Sequence, residues 1–280
     1  MIHFMPYDLL RGSNPSSHNA ALDLAAPFAE RRHMFPIRDH NPSESTPYVT
    51  YALIAINVIV YLYGLVALTD DATLNRFYYD YAMIPARINA GENYPSLVTS
   101  IFMHAGFMHL AGNMLFLWIF GDNMEEEMGP IPFLAFYLLS GVGADLAQYA
   151  SGPTSQVATV GASGAIAGVM GGYLLMFPKA KVDILLILIV FFKIFPVPSW
   201  IMLGLWFLLQ LVGGVGADPN GGGVAYWAHA GGFIIGFMLT LPMWLKRGAA
   251  GYWDATDGHP PHPDAQYRFQ KSSIPVVKRR

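Results

Sequence analysis

The chain has 280 residues, a formal net charge of -3 and no cysteine. That excludes disulfides, thiolate metal sites and a thiol nucleophile, and it gives no basic surface for nucleic acid. Hydrophobic residues make up 54% and charged ones only 12%, the balance of an integral membrane protein rather than a soluble domain.

Residues 1–33 mix Pro, Ser, Asp and Arg without a continuous apolar core, so no cleavable signal peptide is expected, and 1–47 reads as a tail. Uncharged stretches then run over 48–68, 95–121, 128–144, 146–178, 194–217 and 219–245. Each is near or above the roughly 20 residues that cross hydrocarbon as a helix. They predict an all-α membrane domain over 48–245, a bundle of six spans at 48–68, 101–120, 131–150, 161–177, 198–215 and 226–245.

Between the first two spans lies a long outer loop, 69–100, with Phe77, Tyr78, Tyr79 and Tyr81 beside Asp80. Clustered aromatics suit the headgroup region; a small extracellular cap is the alternative. The acidic GDNMEEEMGP reads as the loop between the second and third spans. The run VDILLILIVFFKIF at 182–195 is too short to cross and contains Asp183 and Lys193, so it suits a re-entrant or interfacial piece. The C-terminal segment, 246–280, includes the proline-rich DGHPPHPDAQ and reads as a flexible tail.

With both termini in the cytoplasm, fourteen cations fall inside (Arg11, Arg31, Arg32, Arg38, Lys179, Lys181, Lys193, Lys246, Arg247, Arg268, Lys271, Lys278, Arg279 and Arg280) against Arg76 and Arg87 outside. This is a strong positive-inside bias.

Three polar clusters interrupt the spans. MHAGFMHLAGN carries His104, His109 and Asn113, GASG carries Ser163, and WAHAGG carries His229. One returning crossing separates the fourth span from the sixth, so Ser163 and His229 share a leaflet. At about 100° per residue, Ser163, Gly164, Ala167 and Gly171 lie on one small-residue face, and His229, Gly232 and Gly236 lie on another. Such faces let backbones approach closely, which would put the serine hydroxyl within reach of the imidazole.

That pairing suggests chemistry. A serine needs a base to become a nucleophile, and His229 is one. Attack on an amide builds charge on the carbonyl oxygen, and His109 and Asn113, one helical turn apart, offer donors beside the backbone N–H of Ser163. Bland alternatives exist: a lone intramembrane serine is most often a packing residue, and His109 with Asn113 is also compatible with a structural pair. His104 reads as structural, steadying the outer-loop junction. A metal or haem on His104, His109 and His229 is disfavoured because neither HExxH nor a thiolate accompanies them. For Asp145, a local hydrogen bond is favoured over orienting a histidine.

These residues resemble the rhomboid intramembrane serine proteases over roughly 48–245. The likeness rests on HxxxxHxxxN (His104, His109, Asn113), GxSGxxxG (Gly161, Ser163, Gly164, Gly168) and AHxGGxxxG (His229, Gly231, Gly232, Gly236). It implies a six-helix bundle with a cavity open to the outside, a Ser163 and His229 dyad, and His109 and Asn113 as oxyanion donors. It further implies cleavage of other membrane proteins in or beside a transmembrane helix without metal or cofactor, in a multi-pass protein of a bacterial plasma membrane.

Two features of many members are absent. Where some carry an aromatic residue four positions after the serine, stacked on the histidine, this chain has Ala167. The Trp-Arg pair of the first outer loop is missing, with Arg76 and Phe77 nearest to it. The rivals are a catalytically inactive rhomboid-like protein that binds membrane proteins, against which the presence of both Ser163 and His229 argues, and a transporter or channel, against which the scarcity of intramembrane charge argues.

Overall fold

The computed structural model describes residues 33–39, 43–188 and 191–262. After strand β1 (His33–Asp39) come α1 (Tyr48–Ala67), α2 (Asp71–Tyr81), α3 (Pro85–Asn89) and α4 (Ser96–Thr99), the last continued by a 3-10 turn at Ser100–Phe102. Then follow α5 (Phe107–Met128), α6 (Pro130–Ser151) and α7 (Ser163–Met176), strands β2 (Lys181–Leu188) and β3 (Phe191–Pro198), and helices α8 (Ser199–Val215), α9 (Tyr226–Lys246) and α10 (Ala250–Thr256).

The fold is mostly helical. Among the described residues, α1, α6 and α9 are each long and apolar enough to cross a membrane. Residues 96–102 with α5, bent by 94° at the break, would make a fourth span, and α7 and α8 are shorter apolar helices.

Around an apolar core, α1 and α8 bury polar residues and leave large apolar ones exposed, which a soluble bundle avoids. On α1 the buried stripe is Thr50, Leu53 and Asn57, while Ile56, Ile59, Leu62 and Val66 are exposed. On α8 the buried residues include Ser199, Gln210 and Gly214, while Leu205, Leu208, Leu209 and Val212 face out. Lipid accepts the exposed leucines, whereas polar groups must find partners inside the protein.

The helix α7 runs through the middle and is buried continuously from Gly164 to Tyr173. Its 14 residues rise only about 21 Å, short of the roughly 30 Å of hydrocarbon, and its flanks are protein rather than lipid. Glycine makes this possible. A Cβ added at Gly232 would lie 2.0 Å from the Gly164 carbonyl oxygen, and one at Gly236 would lie 2.0 Å from that of Gly168, so α7 and α9 meet backbone to backbone. From the third side, α6 presents Ala144 to Gly164 and Ser140 to Gly168.

Four features correct or extend the sequence expectations. First, the segment 182–195, too short to cross, lies in paired strands: β2 pairs antiparallel with β3 from Lys181↔Pro198 to Leu188↔Phe191, and β1 pairs with the other edge of β2. An all-α fold is therefore incomplete. Short runs rich in Val, Ile and Phe are as compatible with a strand as with a helix.

Second, the acidic residues read as a loop are the last turns of α5, and only Gly129, at φ +80°, separates α5 from α6. They stay helical because the start of the chain uses them. Buried Glu125 accepts the N–H groups of Val49 (2.8 Å) and Thr50 (2.7 Å) and the Thr50 hydroxyl (2.8 Å). It thereby caps α1, whose first-turn donors have no partner within the helix. Glu126 likewise accepts the N–H of Ser45 at 3.0 Å.

Third, the loop at 69–100 is built from α2, α3 and α4. It is tied to the segment before α7 by an antiparallel bridge between Met83 and Thr159, and Arg87 lies 4.0 Å over the ring of Tyr79. Arg76 instead pairs with Asp80.

Fourth, residues 246–262 are not a loose tail. Tyr252 of α10 is buried, Trp253 Nε1 donates to Leu175 O (2.9 Å), and Lys179 pairs with Asp257 at 2.6 Å. The tail expectations for 1–32 and 263–280, and the cations Arg11, Arg31, Arg32, Arg268, Lys271, Lys278, Arg279 and Arg280, lie outside the described residues.

Candidate active site

Ser163 is the first residue of α7, so its N–H belongs to a helix turn whose donors lack intrahelical partners. The chain reaches it through Gly161 at φ +129°, a conformation that side chains strongly resist. Three contacts fix this approach. Met83 and Thr159 exchange backbone hydrogen bonds of 3.1 and 2.8 Å, and Gly161 N–H donates to Ser100 O at 3.0 Å. Ser100 is itself held by its hydroxyl, which donates to buried Asp145 at 2.6 Å. Asp145 thus bonds a serine and braces the loop.

His229 lies in the first turn of α9. Its Nε2 is 2.8 Å from Ser163 Oγ, and both residues are half-buried. The other ring nitrogen, Nδ1, is 2.9 Å from Gln210 Oε1, and the Trp206 ring lies alongside the imidazole, centroids 5.7 Å apart and planes inclined by 32°.

His109 and Asn113 project from the first turns of α5. A Cβ placed on Gly161 would lie 2.7 Å from two atoms of the His109 ring and 3.6 Å from Ser163 Oγ. The His109 ring therefore flanks the nucleophile, in space that a side chain at 161 would take. Asn113 is buried, and its carboxamide nitrogen has no hydrogen-bond partner among the described residues. His104 stands behind, its ring edge-on to that of His109 at 5.1 Å and its carbonyl accepting the Tyr78 hydroxyl at 3.2 Å. Gly164, Gly168, Gly232 and Gly236 form the close contact between α7 and α9 described above.

The structure thus brings Ser163, His229 and His109 around one point, with Asn113 one turn along from His109. No group of three or more His, Asp or Glu suited to a metal ion occurs among the described residues. Sequence reasoning missed Gln210 and Trp206. Their signal was one carboxamide in the apolar run LWFLLQLVGG, a costly residue to place in lipid without a partner.

The Rhomboid domain family model matches residues 91–246. The chain belongs to the rhomboid family. Rhomboid protein 1, mitochondrial, of Saccharomyces cerevisiae is 32% identical over 197 residues, covering 68% of this chain and 51% of that protein. RHOMBOID-like protein 5 of Arabidopsis thaliana is 31% identical over 199 residues, covering 68% and 59%. Rhomboid protease GluP of Bacillus subtilis is 28% identical over 213 residues, covering 73% and 37%. This rhomboid chain spans about half the length of the first two relatives. One relative is named mitochondrial and another is bacterial, so rhomboid membership selects no single membrane.

Proposed function

We propose that the chain is an intramembrane serine endopeptidase that hydrolyses peptide bonds in or next to transmembrane segments of other membrane proteins. The observation that carries this reading is the 2.8 Å contact between Ser163 Oγ and His229 Nε2. His229 takes the hydroxyl proton as Ser163 attacks the scissile carbonyl, and the oxyanion accepts hydrogen bonds from His109, Asn113 and the Ser163 N–H. The C–N bond then breaks as His229 returns the proton to the leaving amine, and water hydrolyses the acyl-enzyme by the same route. Neither metal nor cofactor takes part.

A substrate helix must open locally before its carbonyl is reachable, because its backbone groups are otherwise paired. Substrates with small or helix-breaking residues near the cut are therefore favoured. In the membrane, α1, α5 to α7, α8 and α9 serve as six spans of a domain over 48–245, with 1–47 and 246–280 on the cytoplasmic side and the site toward the outside. The family name GluP carries, rhomboid protease, and the presence of both serine and histidine favour catalysis over an inactive, merely binding rhomboid-like protein.

The test is labelling in detergent with a fluorophosphonate, together with mapping of cut sites in single-span substrates by mass spectrometry. Wild type should be labelled and should cut, and Ser163→Ala should do neither. An unlabelled, non-cutting wild type would overturn the proposal.

A further inference from the structure

We infer that Gln210 is a positioning residue for the base: its carboxamide oxygen accepts the Nδ1–H of His229 and so leaves Nε2 free to take the Ser163 proton. The inference rests on the Ser163 and His229 reading above and adds a third member from α8.

The orientation of the amide is settled by its other end. Gln210 Nε2 donates to the carbonyl of Trp206 one turn back, at 3.1 Å. Rotating the carboxamide by half a turn would set its oxygen against that carbonyl oxygen with no hydrogen between them, two acceptors in contact. Oε1 therefore faces Nδ1 at 2.9 Å. An oxygen with no hydrogen can only accept, so Nδ1 carries the ring proton, and in a neutral imidazole Nε2 then has the lone pair. That lone pair points at Ser163 Oγ, 2.8 Å away. During attack the Oγ–H bond breaks and Nε2 gains the proton, while the Nδ1–H stays on the ring, shared with Gln210. The carboxamide gains and loses nothing.

Two further observations agree. Gln210 is one of four buried residues of α8, with Ser199, Leu203 and Gly214, while Leu205, Leu208 and Leu209 face outward. The Trp206 ring lies beside His229, on the same helix and one turn away, while Ala167 of α7 is too small to support the imidazole. Both restraints on the base therefore come from α8, one to each edge or face of the ring, and neither from the helix that carries the nucleophile.

The experiment compares Gln210→Leu with Gln210→Glu in purified full-length protein, by fluorophosphonate labelling rate, by kcat and KM on a single-span substrate, and by thermal melting. Leucine keeps the apolar packing and removes the acceptor; glutamate keeps an acceptor at the same reach but packs worse in an apolar span. An accepting role predicts a fall on the order of 100-fold in labelling rate and kcat for leucine, the cost of a misplaced base, with KM little changed, and substantial retention for glutamate. A purely packing role predicts the opposite order, with glutamate the more damaged in both rate and melting temperature. A leucine variant labelled at the wild-type rate, or one that loses no more than glutamate, overturns the inference. Wild type is labelled first: if it takes no label the dyad reading itself fails, whereas a labelled wild type with an unaffected leucine variant removes only Gln210.

Discussion

Gly232→Ala is the sharpest perturbation of the link between packing and chemistry. The new Cβ would lie 2.0 Å from the Gly164 carbonyl oxygen and 2.9 Å from its carbon, both backbone atoms, whereas real Cβ contacts essentially never fall under 3.0 Å. One helix must therefore move by about 1 Å, since neither partner is a side chain that can swing aside. Gly164 follows Ser163 and Gly232 is three residues from His229, so the shift acts where the two meet. A displacement of that size along the contact takes the 2.8 Å bond beyond the roughly 3.5 Å at which hydrogen bonding ceases. Misplacement by about 1 Å costs on the order of 100-fold in rate, equivalent to about 2.7 kcal/mol, and the overpacking itself costs about 1–3 kcal/mol of stability. Fluorophosphonate labelling rates and thermal melts in the same detergent read the two effects separately. Gly204→Ala, where nothing lies within 4 Å of the new methyl, serves as the control. Labelling of the Gly232 variant at the wild-type rate would refute the reasoning, because it would mean that helix contact and catalytic contact are uncoupled.

Three other outcomes are expected. Glu125→Ala should lower stability by about 4.5 kcal/mol or more, since it removes three hydrogen bonds to a buried carboxylate, each worth about 1.5–3 kcal/mol; a melting temperature equal to wild type would contradict this. Gly161→Ala should abolish labelling at nearly unchanged helix content by circular dichroism, because it combines an unfavourable φ with a methyl driven into the His109 ring. The hydrogen bond and charge of Lys179 hold the Asp257 carboxyl below the ordinary carboxylate range. The pair therefore adds stability above the unfolded-state value near 3.8, and this is lost as pH falls through the lowered folded value. Lys179→Met should remove that acid-side dependence, seen as a melting-temperature difference from wild type at neutral pH that closes as pH falls through the lowered value of Asp257.

The helices were legible because long uncharged runs have few alternatives in a chain this apolar, and the described boundaries of α1, α6 and α9 lie within a residue or two of the runs at 48–68, 131–150 and 226–245. The approach of Ser163 to His229 was legible too, through the count of crossings and the glycine spacing. Charge misled at 122–127: carboxylates suggested a loop, yet Glu125 is inside a helix because its partners are N–H groups far away in sequence. Hydrophobicity misled at 182–195, where the strand partner His33–Asp39 has no pattern that announces it. Gln210 was overlooked for a different reason. A single amide has no periodicity, and only its position beside His229 in three dimensions gives it meaning.

The cap that Glu125 places on α1 has a consequence for how the protein is made. The donors at Thr50 wait for an acceptor that emerges from the ribosome 75 residues later, which at ordinary translation rates is a delay of roughly 4 to 15 seconds. Through that interval the first-turn N–H groups of α1 have only water as a partner. The capping of α1 is thus completed only when the end of α5 arrives.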